Sequence, residues 1–490
     1  MLSKKIAQGT SYITLMNIID TTIAFIFYTA ISRILLPNEV GQVSLLFLII
    51  NVFNTLTLLA LNNAMIKYVS EYVGMKRMDI ASLAFRKATN VLTMISIPSF
   101  AISIIIIPML KGILEIDSWS LLFAFTIALI LNYTNLIGGV LYGLTLFDKV
   151  AIQNIIFYSM SRVSAVILAI ALNVKGIALG LTIGAFVCLI YSIMALKGRL
   201  PYPNGDFLIR RLFSYSLPLY TNNIIALTQG WMDIVVLYTI SSSLSVIGIY
   251  YLVVSSTLIL SILWNPLTST LFPTMSLRKA ESSDEGVKQI LEFSTRIIFL
   301  IVLPVSFALA VTSKTALTLV YGINYAEGSL AFSIITSTMI IPALSSLYTI
   351  TLQAVGETKP IMVAGIASII TDVIVLFIAV PTLSGVGAAI ARVFMALSTF
   401  VVTYKYVSKS LHIKLQIPWR ILAFSIASIA PLIAIEQLSM ISLAKGIIEF
   451  FAFIITVIIC IKIMKPINDQ DKQILKMALP TKLKFIIKFI

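Results

Sequence analysis

Six charged side chains lie within otherwise apolar stretches of this 490-residue chain. They are Asp20, Arg33, Arg162, Asp233, Asp372 and Arg392. A charge at membrane depth costs at least about 2.5–3.5 kcal/mol, so such a residue usually faces a wet cavity or a partner. A carboxylate there can bind a cation or carry a proton. A guanidinium group can hold an anion with planar oxygens through paired hydrogen bonds. The pattern therefore indicates either ion binding or polar pairing inside the apolar helices.

The elements that must hold these residues are apolar blocks of about 20 residues, the length that a helix needs to cross a bilayer. The chain is 59% hydrophobic and 11% charged, with a mean hydropathy of +1.02, whereas soluble domains are about 25% charged. The blocks do not alternate as barrel strands do. We therefore predict an all-α integral membrane protein with about fourteen transmembrane helices and no folded soluble domain.

The predicted spans follow from the apolar runs between charges and Pro or Gly residues. They are 12–36, 41–66, 88–110, 118–141, 151–172, 176–196, 213–240, 246–272, 294–321, 329–352, 361–381, 385–404, 419–436 and 440–461. The first block is too long for a signal peptide and has no small-residue cleavage site, so we interpret it as the first span.

The distribution of Lys and Arg predicts the orientation in the cell membrane. With the N-terminus inside, 28 of the 35 basic residues fall in cytoplasmic segments, four on the opposite face and three within spans. This is the bias expected of a multi-pass membrane protein. Both termini are predicted to be cytoplasmic, and the net charge of +15 then follows from topology, so no nucleic acid is expected as a partner.

The two halves of the chain resemble each other at an offset of about 210 residues. The paired segments are 141–149 with 354–359, 176–180 with 385–390, and 41–43 with 248–250. We predict these domains: a six-helix lobe at 1–200, a cytoplasmic linker at 201–212, a second six-helix lobe at 213–410, two extra helices at 411–463 and a basic cytoplasmic tail at 464–490. A parallel repeat of this kind places a cavity between the halves.

Small residues and prolines in the spans predict how the helices pack. The glycines are Gly138, Gly139, Gly180, Gly184 and Gly387, and the prolines are Pro218, Pro266, Pro304 and Pro342. Glycine permits close helix approach and proline permits a kink. Ordinary packing explains all of them, with gating as the alternative for some of the prolines.

Four short motifs resemble those of the oligosaccharide flippases, in the multidrug/oligosaccharidyl-lipid/polysaccharide exporter superfamily. They are SRILLPNEVG at 32–41, LFPTM at 271–275, GETK at 356–359 and GVGAAIA at 385–391. The resemblance implies an alternating-access transporter that moves a polyprenyl- or dolichyl-linked oligosaccharide from the cytoplasmic to the outer leaflet, for polysaccharide or glycoprotein-glycan synthesis. Two spans beyond the twelve of the repeat favour this branch over the drug exporters.

Under this resemblance the substrate carries a pyrophosphate head group, for which Arg162, Arg392 and Arg33 are the predicted contacts in the central cavity. For Arg162 an ion pair with Asp372 across the repeat is the alternative, and for the other two arginines a packing or interfacial role is the alternative.

The carboxylates and amides of the spans have two interpretations as well. Asp20, Asp233 and Asp372 could couple an ion or make structural hydrogen bonds. The amides of Asn132, Asn135 and Asn154 suit sugar hydroxyls or contacts between helices.

The sequence lacks the motifs that are typical of several other classes of protein. There is no GxxxxGK[ST] phosphate loop and no HExxH motif, and Cys188 and Cys460 have no ligand spacing, so we expect neither a cofactor nor a metal. We predict a transporter and not an enzyme. A cation-coupled multidrug exporter, a membrane glycan polymerase and a structural or receptor protein are the alternatives.

The predicted partners follow from the transporter interpretation. They are the lipid-linked glycan and membrane lipid, with glycan-assembly enzymes as further candidates. The family leads us to expect a monomer.

Overall fold

The computed structural model describes residues 2–281, 284–413, 418–438 and 440–465, so most of the predicted tail lies outside the described residues. Within these ranges the chain is helical and has no strand. The helices of the first half are α1 (Leu2–Ile34), α2 (Pro37–Leu58), α3 (Leu61–Gly74), α4 (Met78–Leu114), α5 (Ser118–Gly143), α6 (Phe147–Leu196), α7 (Ile209–Ser241) and α8 (Leu244–Ile259). Those of the second half are α9 (Asn265–Ala280), α10 (Asp284–Val311), α11 (Ser313–Val320), α12 (Ser329–Ser337), α13 (Ile340–Ala354), α14 (Lys359–Leu383), α15 (Gly385–Leu411), α16 (Trp419–Glu436) and α17 (Ser442–Met464).

The number of membrane spans agrees with the sequence once bent helices are divided. Eleven helices of the described residues are long and apolar enough to cross a bilayer, and a bent pair, Ile323–Ser337 with Ile340–Ala354, makes a twelfth. The 50-residue α6 is broken at Asn173, where φ is 49°, and therefore supplies two spans. The 33-residue α1 is also long enough to cross a bilayer, which would bring the total to the predicted fourteen. The prediction of an all-α, multi-pass membrane protein is confirmed.

The break between α1 and α2 falls inside the motif at 32–41. Proline is tolerated at the first position of α2, because the N–H that it lacks would have no partner there. The Glu39 carboxylate accepts a hydrogen bond from the Leu36 N–H at 2.8 Å. This part of the motif therefore has a structural function, which is to start α2.

The chain packs as two compact units. Unit 1 comprises Met1–Tyr238 and Ser242–Tyr251, and unit 2 comprises Thr239–Ser241 and Leu252–Ile490. Unit 1 therefore continues past the predicted linker and includes most of α7 and the first half of α8.

Aromatic contacts and a close glycine approach attach α8 to the rest of unit 1. The Tyr251 ring stacks near Trp231 and Phe47, and its hydroxyl lies 3.0 Å from that of Tyr28. A Cβ added at Gly248 would lie 1.9 Å from the Pro37 carbonyl oxygen, so α8 packs directly on the start of α2.

The predicted close approach at Gly184 is confirmed, and it joins the two halves of α6. A Cβ there would lie 2.2 Å from both the backbone N and the Cα of Ser161, so no side-chain rotation could relieve the clash. Ser161 precedes Arg162, and the glycine therefore fixes the position of that arginine relative to the second half of α6.

Gly184→Val should lower the free energy of unfolding by about 2–3 kcal/mol, because the added atoms overlap backbone that cannot move aside. The melting temperature of the purified protein in detergent measures the effect. Gly230→Val is the matched control, since nothing lies within 4 Å of a Cβ at that helical position. Equal melting temperatures for the two variants would show that α6 is not packed this closely.

Candidate functional site

Arg162 and Asp20 form a half-buried ion pair in unit 1. The guanidinium Nη1 of Arg162 lies 2.5 Å from the Asp20 carboxylate and donates to the Asp20 carbonyl oxygen at 3.0 Å. The same guanidinium lies over the Tyr158 ring, 4.9 Å from its centroid. Tyr158 is one turn earlier on α6, so helical geometry alone brings it to Arg162. The partner of Arg162 is thus a residue of α1 that the repeat comparison did not suggest.

A polar cavity of about 180 Å³ lies next to this ion pair, between α2, α5 and α6 of unit 1. Most of its lining groups can donate or accept hydrogen bonds: Asn51, Asn54, Thr134, Asn135, Gln153, Asn154, Tyr158 and Cys188. Because Tyr158 lines the cavity and also contacts Arg162, the cavity and the cation are adjacent. We call the cavity, Arg162 and Asp20 the unit 1 site.

The amides that line or flank this cavity differ in how many of their hydrogen bonds are already made within the protein. Asn132 is completely buried and bonds to Asn54 at 2.8 Å, Thr57 at 2.6 Å and Ser96 at 3.2 Å, so it joins α2, α4 and α5. The Oε1 atom of Gln153, by contrast, is buried and has no hydrogen-bond partner among the described residues.

Asn135 and Asn154 both line the cavity. Asn154 donates its Nδ2 to the Val150 carbonyl of its own helix at 2.9 Å. The sugar-binding alternative therefore fits Asn135 and Asn154, whereas Asn132 is structural.

Asp233 is buried on α7 and accepts a hydrogen bond from the Tyr250 hydroxyl at 2.6 Å. A second bond, 2.9 Å long, comes from the N–H of Ile234. This carboxylate therefore holds α8 against α7 within unit 1. The structural interpretation of Asp233 gains support from these contacts.

Asp233→Ala should destabilise the protein by about 2–3 kcal/mol, because the buried Tyr250 hydroxyl loses the hydrogen bond that it donates to Asp233. Thermal unfolding in detergent measures this loss. Asp233→Asn should retain most of the stability, since the amide oxygen can still accept. Asp206→Ala, at an exposed linker residue, is the control. A melting temperature for Asp233→Ala equal to that of the control would refute the structural role.

The remaining predicted residues lie elsewhere. In unit 2, Arg392 lines a cavity of about 140 Å³ whose wall is mostly apolar and includes Trp264, Met339 and Pro342. Asp372 is buried on α14. Arg33 is exposed in the last turn of α1.

The structure thus brings Asp20 and Arg162 together in unit 1, which also holds Asp233 with Tyr250. Sequence reasoning missed Tyr158 and Gln153 as site residues. The spacing of Tyr158 and Arg162, one helical turn apart, was the available signal.

Two solved structures share the fold of this chain over most of its length. The lipid II flippase MurJ in its inward closed conformation superposes with a TM-score of 0.68 at 14% identity, over 92% of this chain and 98% of MurJ. An inward-facing multidrug resistance MATE family transporter of the MOP superfamily gives 0.66 at 12% identity, over 79% of this chain and 94% of that transporter. The chain therefore shares the fold of these two proteins.

The sequence pattern of the polysaccharide biosynthesis protein family matches residues 6–279, and the chain belongs to this family. The resemblance noted from the short motifs is confirmed at this level. A relative from Haloferax volcanii, described as probable low-salt glycan biosynthesis flippase Agl15, is 23% identical over 245 residues, which are 50% of this chain. The match spans 52% of that relative's length, or about half.

Proposed function

We propose that the protein is a flippase that moves a polyprenyl- or dolichyl-linked oligosaccharide across the membrane by alternating access, without catalysing a reaction. The observation that carries this proposal is the unit 1 site, where an arginine adjoins a cavity lined by amides and hydroxyls. A lipid-linked glycan has the matching chemistry, because it joins an anionic phosphate group to a sugar rich in hydroxyls. The family and the flippase names of two relatives support the same function.

Arg162 is the proposed contact for the head group. Its charge is balanced by Asp20 in a half-buried position. A phosphate oxygen pair can replace the carboxylate on the guanidinium fork with similar geometry. Asp20 then has the role of holding the arginine in place between substrates, or of accepting a coupling cation when the arginine turns to the substrate.

Asn135 and Asn154 are the proposed sugar contacts. Each amide can both donate to and accept from a hydroxyl, and the unpartnered Oε1 of Gln153 offers a further acceptor. A buried acceptor without a partner is costly unless water or a ligand satisfies it. The cavity therefore has the hydrogen-bonding capacity that a sugar requires.

Arg392 in unit 2 is a second proposed anion contact. Its surroundings are mostly apolar, so this site suits a part of the substrate where phosphate meets the lipid chain. Arg33 retains the role that the motif resemblance implies, as a head-group contact near the outer interface. Asp233 and Asp372 remain candidates for ion coupling.

We also propose the membrane arrangement that the basic residues indicate, with both termini in the cytoplasm and transport directed outward. The lobes 1–200 and 213–410 are the proposed moving parts. The inward-facing MATE structure and an outward-facing one, which gives a TM-score of 0.54, support alternating access. The chain acts as a monomer in this proposal, next to the enzymes that assemble the glycan.

A cation-coupled multidrug exporter is the second candidate, because the MATE likeness is nearly as close as that to MurJ. The paired Asp20 is the feature that such an exporter would use to bind its coupling ion. The cavity of such an exporter would be expected to carry a net negative charge, whereas Arg162 already neutralises Asp20 beside the unit 1 cavity. This balance of charge favours the flippase.

Reconstitution in liposomes tests the two candidates. The protein should move a fluorescent polyprenyl-pyrophosphate glycan between leaflets, as measured by its accessibility to a quencher or a glycan-cleaving enzyme. Protein-free liposomes and liposomes with an unrelated membrane protein are the controls. Movement of organic cations against a sodium or proton gradient, without movement of the glycan lipid, would establish the exporter instead.

A further inference from the structure

The two C-terminal helices contain a buried carboxyl group that the proposed transport site does not use. α17 is an apolar helix of 23 residues, and Glu449 is its one buried residue, at 4% exposure. A membrane helix usually packs its apolar residues and keeps charges at its ends or on a polar partner. Because Glu449 is buried while the apolar residues of α17 are not, the neighbouring helices form a site around its carboxyl.

A glycine allows α17 to approach α11 at this point. A Cβ added at Gly446 would lie 2.2 Å from Cδ1 of Leu319 on α11. Gly446 and Glu449 are three residues apart and share a face of α17, and Thr315 and Leu319 likewise share a face of α11. The close approach thus directs the Glu449 carboxyl toward the Thr315 hydroxyl, which it contacts.

Glu436, the last residue of α16, is the second carboxyl of the cluster. Its Oε2 lies 2.8 Å from Nζ of Lys445 and accepts from the Thr315 hydroxyl at 3.1 Å. Lys445 also donates to the Glu436 carbonyl oxygen at 2.7 Å. Glu436 is therefore well paired.

The Glu449 carboxyl also contacts that of Glu436. Its Oε1 atom is buried without a hydrogen-bond partner among the described residues. Lys445 therefore pairs with Glu436, and the Glu449 carboxyl faces a second carboxyl.

The charges in this cluster do not balance when both carboxyls are ionised. Two carboxylates and one ammonium group leave one negative charge in a half-buried to buried position, which is unfavourable in surroundings of low polarity. The other charged groups on the adjoining elements are all exposed: Lys314 on α11, Arg420 at the start of α16, Lys462 in the last turn of α17, and Glu327 in the short 3-10 segment Ile323–Gly328. One proton on the carboxyl pair would neutralise the cluster and would supply the hydrogen that two facing carboxyls share.

We propose that Glu449 and Glu436 form a proton-binding site in which one proton, shared between the two carboxyls, fastens α17 to α11 and α16. A proton fits better than a metal ion, because the described residues contain no group of three or more His, Cys, Asp or Glu that could hold one. The folded chain binds this proton more tightly than the unfolded chain, in which both carboxyls are in water. Stability is therefore greatest at low pH and decreases as pH rises through the titration of the pair.

The melting temperature of the full-length protein in detergent, measured from about pH 5.5 to about pH 8.5, tests the site. Wild type should lose several degrees over this range. Glu449→Gln keeps the shape of the protonated group without its titration, so its melting temperature should be higher than that of wild type at the alkaline end and should vary less with pH. Glu327→Gln, at the exposed neighbour, should follow wild type. A Glu449→Gln curve parallel to that of wild type would overturn the proposal.

Infrared spectroscopy provides a second readout that is independent of folding stability. Wild type near neutral pH should show the carbonyl stretch of a protonated carboxylic acid, and Glu449→Gln should lack it. Replacing sodium by choline at constant pH should change neither measurement. A melting temperature that depends on sodium, with no carboxylic acid band, would identify a cation site and refute the proton site. Neither readout requires transport, so the outcome is distinct from that of the flippase assay.

Discussion

Arg162→Ala should reduce translocation of a polyprenyl-pyrophosphate glycan on the order of a hundredfold. Charged hydrogen bonds contribute about 1.5–3 kcal/mol each, and the guanidinium fork can make two to a phosphate. The variant also leaves the Asp20 carboxylate unbalanced next to the cavity, where it would repel an anionic head group. Initial rates in liposomes with equal amounts of folded protein, checked by gel filtration, measure the effect. Arg278→Ala, which removes an exposed arginine, should transport normally.

The neutral pair Asp20→Asn with Arg162→Gln separates ligand binding from structural pairing. If Arg162 only balances Asp20, removing both charges should restore transport as well as stability. If Arg162 binds the head group, the double variant should be stable and still inactive. Arg162→Lys should be intermediate, because an ammonium group supplies charge without the planar fork. Full activity of the double variant would exclude Arg162 as a substrate contact.

Asn135→Leu and Asn154→Leu should together reduce glycan translocation more than tenfold. Both side chains line the cavity of unit 1, and leucine removes the hydrogen bonds while keeping a similar size. A site built around substrate hydroxyls loses affinity strongly when its polar groups are replaced, since the hydroxyls are then buried without partners. Transport assays with substrates of different glycan length measure the loss.

The lipid carrier without sugar provides the discriminating measurement for the asparagine variants. Movement of polyprenyl pyrophosphate alone should be nearly unaffected, because the lost contacts are to the glycan. Asn324→Leu, at an exposed position in unit 2, is the control for the substitution itself. An equal loss for the sugar-free lipid would mean that the leucines disturb the packing of α5 and α6 and do not remove sugar contacts.

The fold could be predicted from the sequence because the bilayer imposes a length and a composition on each span. The breaks are also local: Pro37 starts α2, and the positive φ at Asn173 divides α6 close to the predicted boundary between spans five and six. The extent of unit 1 was harder to predict from the sequence. The contacts of Tyr251 with Tyr28 and Trp231 join residues more than 200 and about 20 positions apart, and no short motif encodes them.

The candidate site was predicted in part. Asp20 and Arg162 stood out because a charge in an apolar block is costly, a property that composition and spacing show directly. Their pairing joins α1 to α6 across 142 positions, and hydrophobic patterning carries no information about which charged residue meets which. Glu449 was overlooked as well, although it lies well inside the predicted span 440–461, because nothing local in the sequence shows that it meets a second carboxyl.

The amino-acid sequence by itself determined that this protein is helical and spans the membrane many times, and it showed several charged residues within the apolar helices. These properties follow from the hydrophobic effect and from local backbone preferences, which act on neighbouring residues. Only the tertiary structure decided that Arg162 meets Asp20 beside an amide-lined cavity, and that Glu449 faces Glu436. Such pairings depend on which helix faces pack together, and that is set by close approaches such as those at Gly184 and Gly446.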